Sequence, residues 1–203
     1  MHYPAFFEDV SKIVLRDPLA DFLGAAEGGL VEYAYVDAVK LAGHSCPTVA
    51  GAYLLCLKAL TRLYGGQPPE RGAIRVDLRD GLAHGVTGVM ANVMGLITGA
   101  AQDGGFKGIA GRFERRNLLS FNNAIEGEVR FRRVDTAAAV ELSYRPEVVP
   151  ASPAMQGLMA KALSGTASAA EVREFGALWQ DRVRRILIDH IDHGDMVVLR
   201  DVR

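Results

Sequence analysis

The strongest constraint on this chain lies between Pro47 and Gly66. Ala50, Tyr53, Leu54, Leu57, Leu60 and Tyr64 recur at the helical period, Pro47 takes the first helical position, and Gly65-Gly66 ends the run. That pattern specifies a core helix. With 203 residues, 49% of them hydrophobic, the chain can bury a real core as one large domain, or one domain plus an appendage, without disulfide staples.

Around that helix the pattern alternates between types. "FFEDVSKIVL" and "DPLADFLGAAEGG" read as two short helices, the second capped by Asp17 with Pro18 behind it, and "LVEYAYV" alternates as a strand. Downstream, "AIRVDLR" reads as a strand and "GVTGVMANVMGLITGAA" as a buried helix, followed by the glycine-rich loop "QDGGFKGIAGRF". "NLLSF", "EVRFRRV" and "AAVELSY" are short strands separated by turn residues, which suggests an antiparallel sheet. Past residue 150 the character turns helical. "AMQGLMAKAL" comes first, and a Ser168/Glu171 capping box then opens a helix with the stripe Val172, Phe175, Trp179, Val183, Ile186 and His190. "MVVLRDV" closes the chain as a strand. The fold expected is α+β: an antiparallel sheet packed against long helices, with residues 1–150 as the main domain and 151–203 as a helical hairpin plus final strand packed on it.

Charge narrows the partners. With 23 basic and 24 acidic residues, a net charge of -1 gives no footprint for nucleic acid and no polybasic membrane anchor. The N-terminal residues lack a secretory leader, so a cytoplasmic location is expected. The stretch Gly81 to Gln102 has no Asp, Glu, Lys or Arg, yet His84, Thr87, Asn92 and Thr98 within it favour a buried helix over a membrane span. Its Gly95-x-x-x-Gly99 spacing suggests close approach by another helix, and the apolar, glycine-containing helix 85–101 together with a weakly charged sheet suggests a homodimer. Cys46 and Cys56 are separated by ten helical positions, roughly 15 Å, beyond the reach of a disulfide, so both are expected as free thiols.

Chemistry concentrates at "GHSCP". Pro47 biases Cys46 toward an extended conformation, and if Ser45 is extended too, His44 and Cys46 project from one face. Cys46 also stands at the N-terminal end of the core helix, where unpaired N–H groups and the dipole stabilise negative charge on sulfur. Zinc needs three protein ligands plus water, or four protein ligands. His84, at the mouth of the next helix, is the best third ligand and Asp80 the second choice. Alternatively, the two histidines are simply polar residues near helix starts and Cys46 is a buried thiol.

"GHSCPTVAGAYLL", a strand ending in "RD", a small-residue helix, a glycine-rich loop and "RRNLLSF" together resemble the E-subunit family of formylmethanofuran dehydrogenase over residues 37–145. The resemblance implies that His44 and Cys46 are metal-site residues, that Asp80 fills the acidic position, and that Asn117-Leu118 end the loop. It implies zinc or another divalent transition metal as cofactor. His84 stands where the family has its second cysteine, Thr48 replaces a glycine, and the C-terminal zinc ribbon gives way to the helical hairpin. The dehydrogenase activity itself is not implied, because two cysteines cannot hold the iron-sulfur clusters that chemistry uses.

The function expected is a zinc-type metal-binding protein whose His/Cys site binds or acts on a small molecule. A non-catalytic metal carrier or accessory protein, or a metal-free thiol enzyme in which His44 activates Cys46, are the alternatives. Lys107, Arg112, Arg115, Arg116 and Asn117, together with the loop's backbone N–H groups, are candidate contacts for an anion or substrate. The loop matches neither Gly-x-Gly-x-x-Gly nor a P-loop. "DHIDHGD" near the C-terminus reads as a solvated helix end, with His190 alone on the apolar stripe as a core histidine, and Cys56 reads as packing.

Overall fold

The structure is a computed structural model describing residues 2–202. In chain order its elements are β1 (Ile13–Arg16), α1 (Pro18–Phe22), β2 (Leu30–Tyr33), α2 (Tyr35–Ala42), α3 (Pro47–Tyr64), β3 (Ile74–Leu78), α4 (Thr87–Thr98), β4 (Leu119–Ser120), β5 (Val129–Arg133), β6 (Ala139–Tyr144), α5 (Met155–Leu163), α6 (Ala169–Arg184) and β7 (Val197–Val202). The architecture is α+β.

Strands β4-β3-β5-β6-β7 form one sheet, and β1-β2 a separate antiparallel ribbon. The main sheet is mixed rather than wholly antiparallel, because β4 runs parallel to β3. The parallel pairing follows from the connection: α4 and the loop behind it carry the chain back along the sheet before Leu119, as a crossover does.

Alternation divides the sheet into two faces. Ile74, Val76, Leu78, Val129, Phe131, Val140 and Leu142 are buried on one side, which α3 and α4 cover. Arg75, Asp77, Arg130, Arg132, Glu141 and Arg200 fall in register on the other. Tyr53, Leu54 and Leu55 of α3 are fully buried in the core, each stabilising the fold by roughly 1.5–3 kcal/mol.

The N-terminal segment departs from expectation. Instead of a helix over residues 6–15 there is one 3-10 turn at Ala5–Asp9 followed by β1. Ile13 and Leu15 are buried while Val14 and Arg16 are exposed, the period-two pattern that pairing with β2 imposes on a short apolar run compatible with either structure. Asp17 caps α1 as expected, accepting from the Leu19 and Ala20 N–H groups.

Gly51 shows how closely α3 meets the sheet. A β-carbon there would lie 2.2 Å from the Tyr144 ring, and that ring is anchored by its hydroxyl donating to the Pro47 carbonyl at 3.0 Å. Gly51→Ala is expected to destabilise the protein by about 1–3 kcal/mol, although alanine favours helix by about 1 kcal/mol. Urea denaturation of Gly51→Ala alone and with Tyr144→Ala checks this: the glycine substitution should cost less once the ring is gone.

Candidate functional site

Residues 43–47 turn sharply from α2 into α3. Gly43, with φ 75°, closes α2 in the left-handed region, and Cys46 is extended at φ −151° and ψ 168°, as the following proline requires. Cys46 caps α3, its Sγ accepting from the Val49 N–H at 3.5 Å, and is only 9% exposed. His44 is exposed, and its Nδ1 lies 2.9 Å from the Ala42 carbonyl. That carbonyl can only accept, so Nδ1 is the donor, and in the neutral ring Nε2 is then the nitrogen with the lone pair.

Ser45 is the hub of the segment. Its hydroxyl donates to Gln180 Oε1 at 2.9 Å and therefore accepts from the Tyr35 hydroxyl at 3.0 Å. Its carbonyl accepts from Trp179 Nε1 at 2.9 Å and from Gln180 Nε2 at 3.2 Å. Burial pushes the Tyr35 phenol well above its ordinary value, with the Ser45 hydrogen bond opposing and the nearby Cys46 sulfur adding to the rise. Burial does the same to Tyr144, against the opposing charge of Arg182. Both phenols stay neutral donors beside Cys46. Helix α6 is fastened over this corner a second time by Arg182, which donates to the Val149 and Pro146 carbonyls.

Tyr35, Ser45, Tyr144 and Gln180 were not legible as site residues. Trp179, the only tryptophan, was visible only as part of an apolar stripe. Its ring does pack, but its indole N–H is what pins the turn.

His84 and Asp80 occupy the turn between β3 and α4. Register puts that turn at the same end of the sheet as Cys46: Leu78 pairs with Val129, Val129 with Leu142, and Tyr144 two residues on reaches Pro47. His84 is exposed, its N–H donating to the Gly81 carbonyl. The Arg79 guanidinium holds the Asp80 carboxyl below its ordinary value, with burial opposing and His84 assisting.

A soft transition metal suits an imidazole and a thiol, and the hydrogen bond orienting His44 is the kind metal-binding histidines make. Among the described residues, however, no three His, Cys, Asp or Glu side chains are gathered as a metal-holding group. The arrangement therefore falls short of the three or four protein ligands that zinc takes.

Cys56 is fully buried, with its thiol pushed up by that burial, and both cysteines are free. His190 is half-buried and His193 exposed, 5.8 Å apart by ring centroids. In the glycine-rich loop, the N–H groups of Gly105, Ile109, Arg112, Arg115 and Asn117 are spent on carbonyls of the same segment rather than left for an anion. Lys107 is exposed, Arg116 pairs with Glu114, and Asn117 is left-handed at φ 57°. Arg115 is instead buried against Asp17. The Gly95/Gly99 spacing serves no neighbouring helix: Gly99 caps α4 at φ 75° and makes room for the Arg115 guanidinium.

Among the described residues, no helix is long and apolar enough to cross a membrane. Comparison with known protein families and with curated proteins finds no match for the chain.

Proposed function

We propose that this chain is a cytoplasmic, homodimeric metal-binding protein in which His44 and Cys46 are the first two ligands of a zinc-type ion and His84 the third, Asp80 being the alternative. One observation carries the reading: the hydrogen bond from His44 Nδ1 to Ala42 leaves Nε2 free, two residues from a thiol that caps the longest helix. Support for His84 is its position at the same end of the sheet. It completes the site only if the exposed turn after β3 moves toward Cys46. Support for pairing of two copies is the exposure of Leu41, Leu82 and Val86, which flank His44 and His84 in the chain. When bound, such an ion supplies a Lewis acid or a ligand-exchange position. The chain's contribution is to hold the donors and to shield the sulfur with Tyr35, Tyr144 and α6.

Metal analysis and cobalt substitution test the proposal. Wild type is expected to hold about one equivalent of zinc per chain, and the cobalt form to show a thiolate-to-metal charge-transfer band. Cys46→Ala should lose both, and His84→Ala should lower affinity without removing the band. Metal-free wild type that takes up no added zinc, or unchanged occupancy in Cys46→Ala, overturns the site. Rapid alkylation of Cys46 in such metal-free protein marks a thiol site instead.

A further inference from the structure

At the opposite end of α4 and β3 from His84, three charged residues far apart in the chain are locked together. Asp17 accepts from Arg71 Nη1 at 2.9 Å and from Arg115 Nη2 at 2.7 Å while capping α1. Arg115 is 6% exposed, and its Nε is buried with no hydrogen-bond partner among the described residues. Gly72 and Gly99 both accommodate it, since a β-carbon would lie 2.4 Å from its Nε at the first and 2.3 Å from its Nη1 at the second. Two guanidiniums therefore share one carboxylate, which leaves a formal excess of one positive charge where solvent screens poorly. Arg71 also donates to the Leu96 and Ile97 carbonyls at the end of α4, which offset part of its charge. Among the described residues Arg115 donates to no carbonyl, although its Nη1 also lies beside Gly99 at the end of α4.

Two clefts meet at this pair. One, of about 480 Å³, adds Arg16 and Arg112 to the lining together with Glu70 and Glu114, so that four arginines face two carboxylates there. Arg112 has no carboxylate partner among the described residues and lies over the Phe113 ring at 4.8 Å. The other, of about 420 Å³, is walled by Leu19, Ala20, Leu23 and Phe106, with Leu23 61% exposed. A single ligand spanning both would place its negative end among arginines and its apolar body against aliphatic and aromatic walls, the pairing of a few charged groups with an apolar lining that marks small-molecule sites.

We propose that the clefts on either side of Arg71 and Arg115 form one binding site for a small amphipathic organic anion, its carboxylate or phosphate head held on the Arg112 side and its apolar body between Leu19, Leu23 and Phe106. Excess positive charge selects the sign of the head, and the adjoining wall selects an apolar tail over a bare inorganic ion. The site is independent of the His44–Cys46 reading and stands or falls without it.

Calorimetric titration of the full chain tests this with octyl phosphate, octanoate, inorganic phosphate and octylammonium. Saturable binding of at least one octyl anion is expected, about tenfold or more tighter than inorganic phosphate, since burying two methylenes supplies that factor. The tighter head identifies the ligand as phosphate or carboxylate. Arg112→Glu and Leu23→Glu, both at exposed positions, are each expected to weaken it about tenfold, with His44→Ala unchanged. No saturable binding of either octyl anion to wild type overturns the proposal. So does octylammonium binding as tightly as the anions, or insensitivity to both substitutions.

Discussion

Replacing Glu141 by glutamine is expected to destabilise the protein by about 3 kcal/mol at neutral pH, because it removes the one buried charge of the network and strips Arg130 of its carboxylate, while Arg200 keeps only Glu126. The Glu141 side chain is 3% exposed on β6. Its carboxylate accepts from the Glu126 and Gly127 N–H groups at 3.1 and 2.9 Å, from Arg130 Nε at 3.0 Å and from Arg200 Nη2 at 2.6 Å. Burial alone raises the pKa of a carboxyl, but the Gly127 N–H and the two guanidiniums outweigh it and bring Glu141 down to about 2. A lowered folded-state pKa stabilises the fold above the unfolded value, near 4.3, and that stabilisation is lost as pH falls through about 2. The linked energy is on the order of 3 kcal/mol. Urea denaturation of wild type and Glu141→Gln at pH 7 and pH 3 measures this. The gap between them should be largest at pH 7 and should shrink at pH 3. A gap below about 1 kcal/mol at pH 7 would show that the network does not hold β5, β6 and β7 together.

Asp17→Ala is expected to cost about as much, roughly 4 kcal/mol, for two reasons that add. The substitution removes the cap of α1, and it strips the shared anion from Arg71 and Arg115. Burial of the carboxyl raises its pKa, yet the Arg115 hydrogen bond, the Ala20 N–H and Arg71 together leave it below its ordinary value. Asp17→Asn keeps most of the cap and loses the charge, so it should fall between wild type and alanine. Hydrogen exchange adds a local readout. The Ala101 N–H donates to the Arg115 carbonyl and the Leu118 N–H to Ala101, and both should lose protection together when Arg115 is released. Unchanged protection there would mean that the loop is held by its own backbone bonds alone.

These two networks also mark where sequence reading stops. Asp17 was recognisable as a cap because its role is satisfied two and three residues away. Its guanidinium partners are 54 and 98 positions distant, and no local pattern distinguishes the buried Arg115 from the exposed Arg116 beside it. Gly99 presents the same problem: its spacing from Gly95 suggested a helix contact, whereas its use is as a left-handed cap against a side chain from a later loop. For residues 6–15 the apolar run was too short to separate helix from strand, and only the partner β2 decided it.

At the candidate site the division is similar. Pro47 and Gly65 bound α3, and the extended Cys46 that caps it follows from the proline. The start of α3 at Pro47 with its extended cap Cys46 was therefore determined by the sequence, as were the α+β class and the caps at Asp17 and Ser168, because each depends on the backbone preferences of neighbouring residues. The parallel docking of β4, the burial of Glu141 and Arg115, and the fastening of Ser45 by Trp179 and Gln180 were decided only by the tertiary structure. They pair groups separated by tens of residues, and the energies that select them, desolvation against charge pairing and ring against glycine, exist only once packing has brought those groups together.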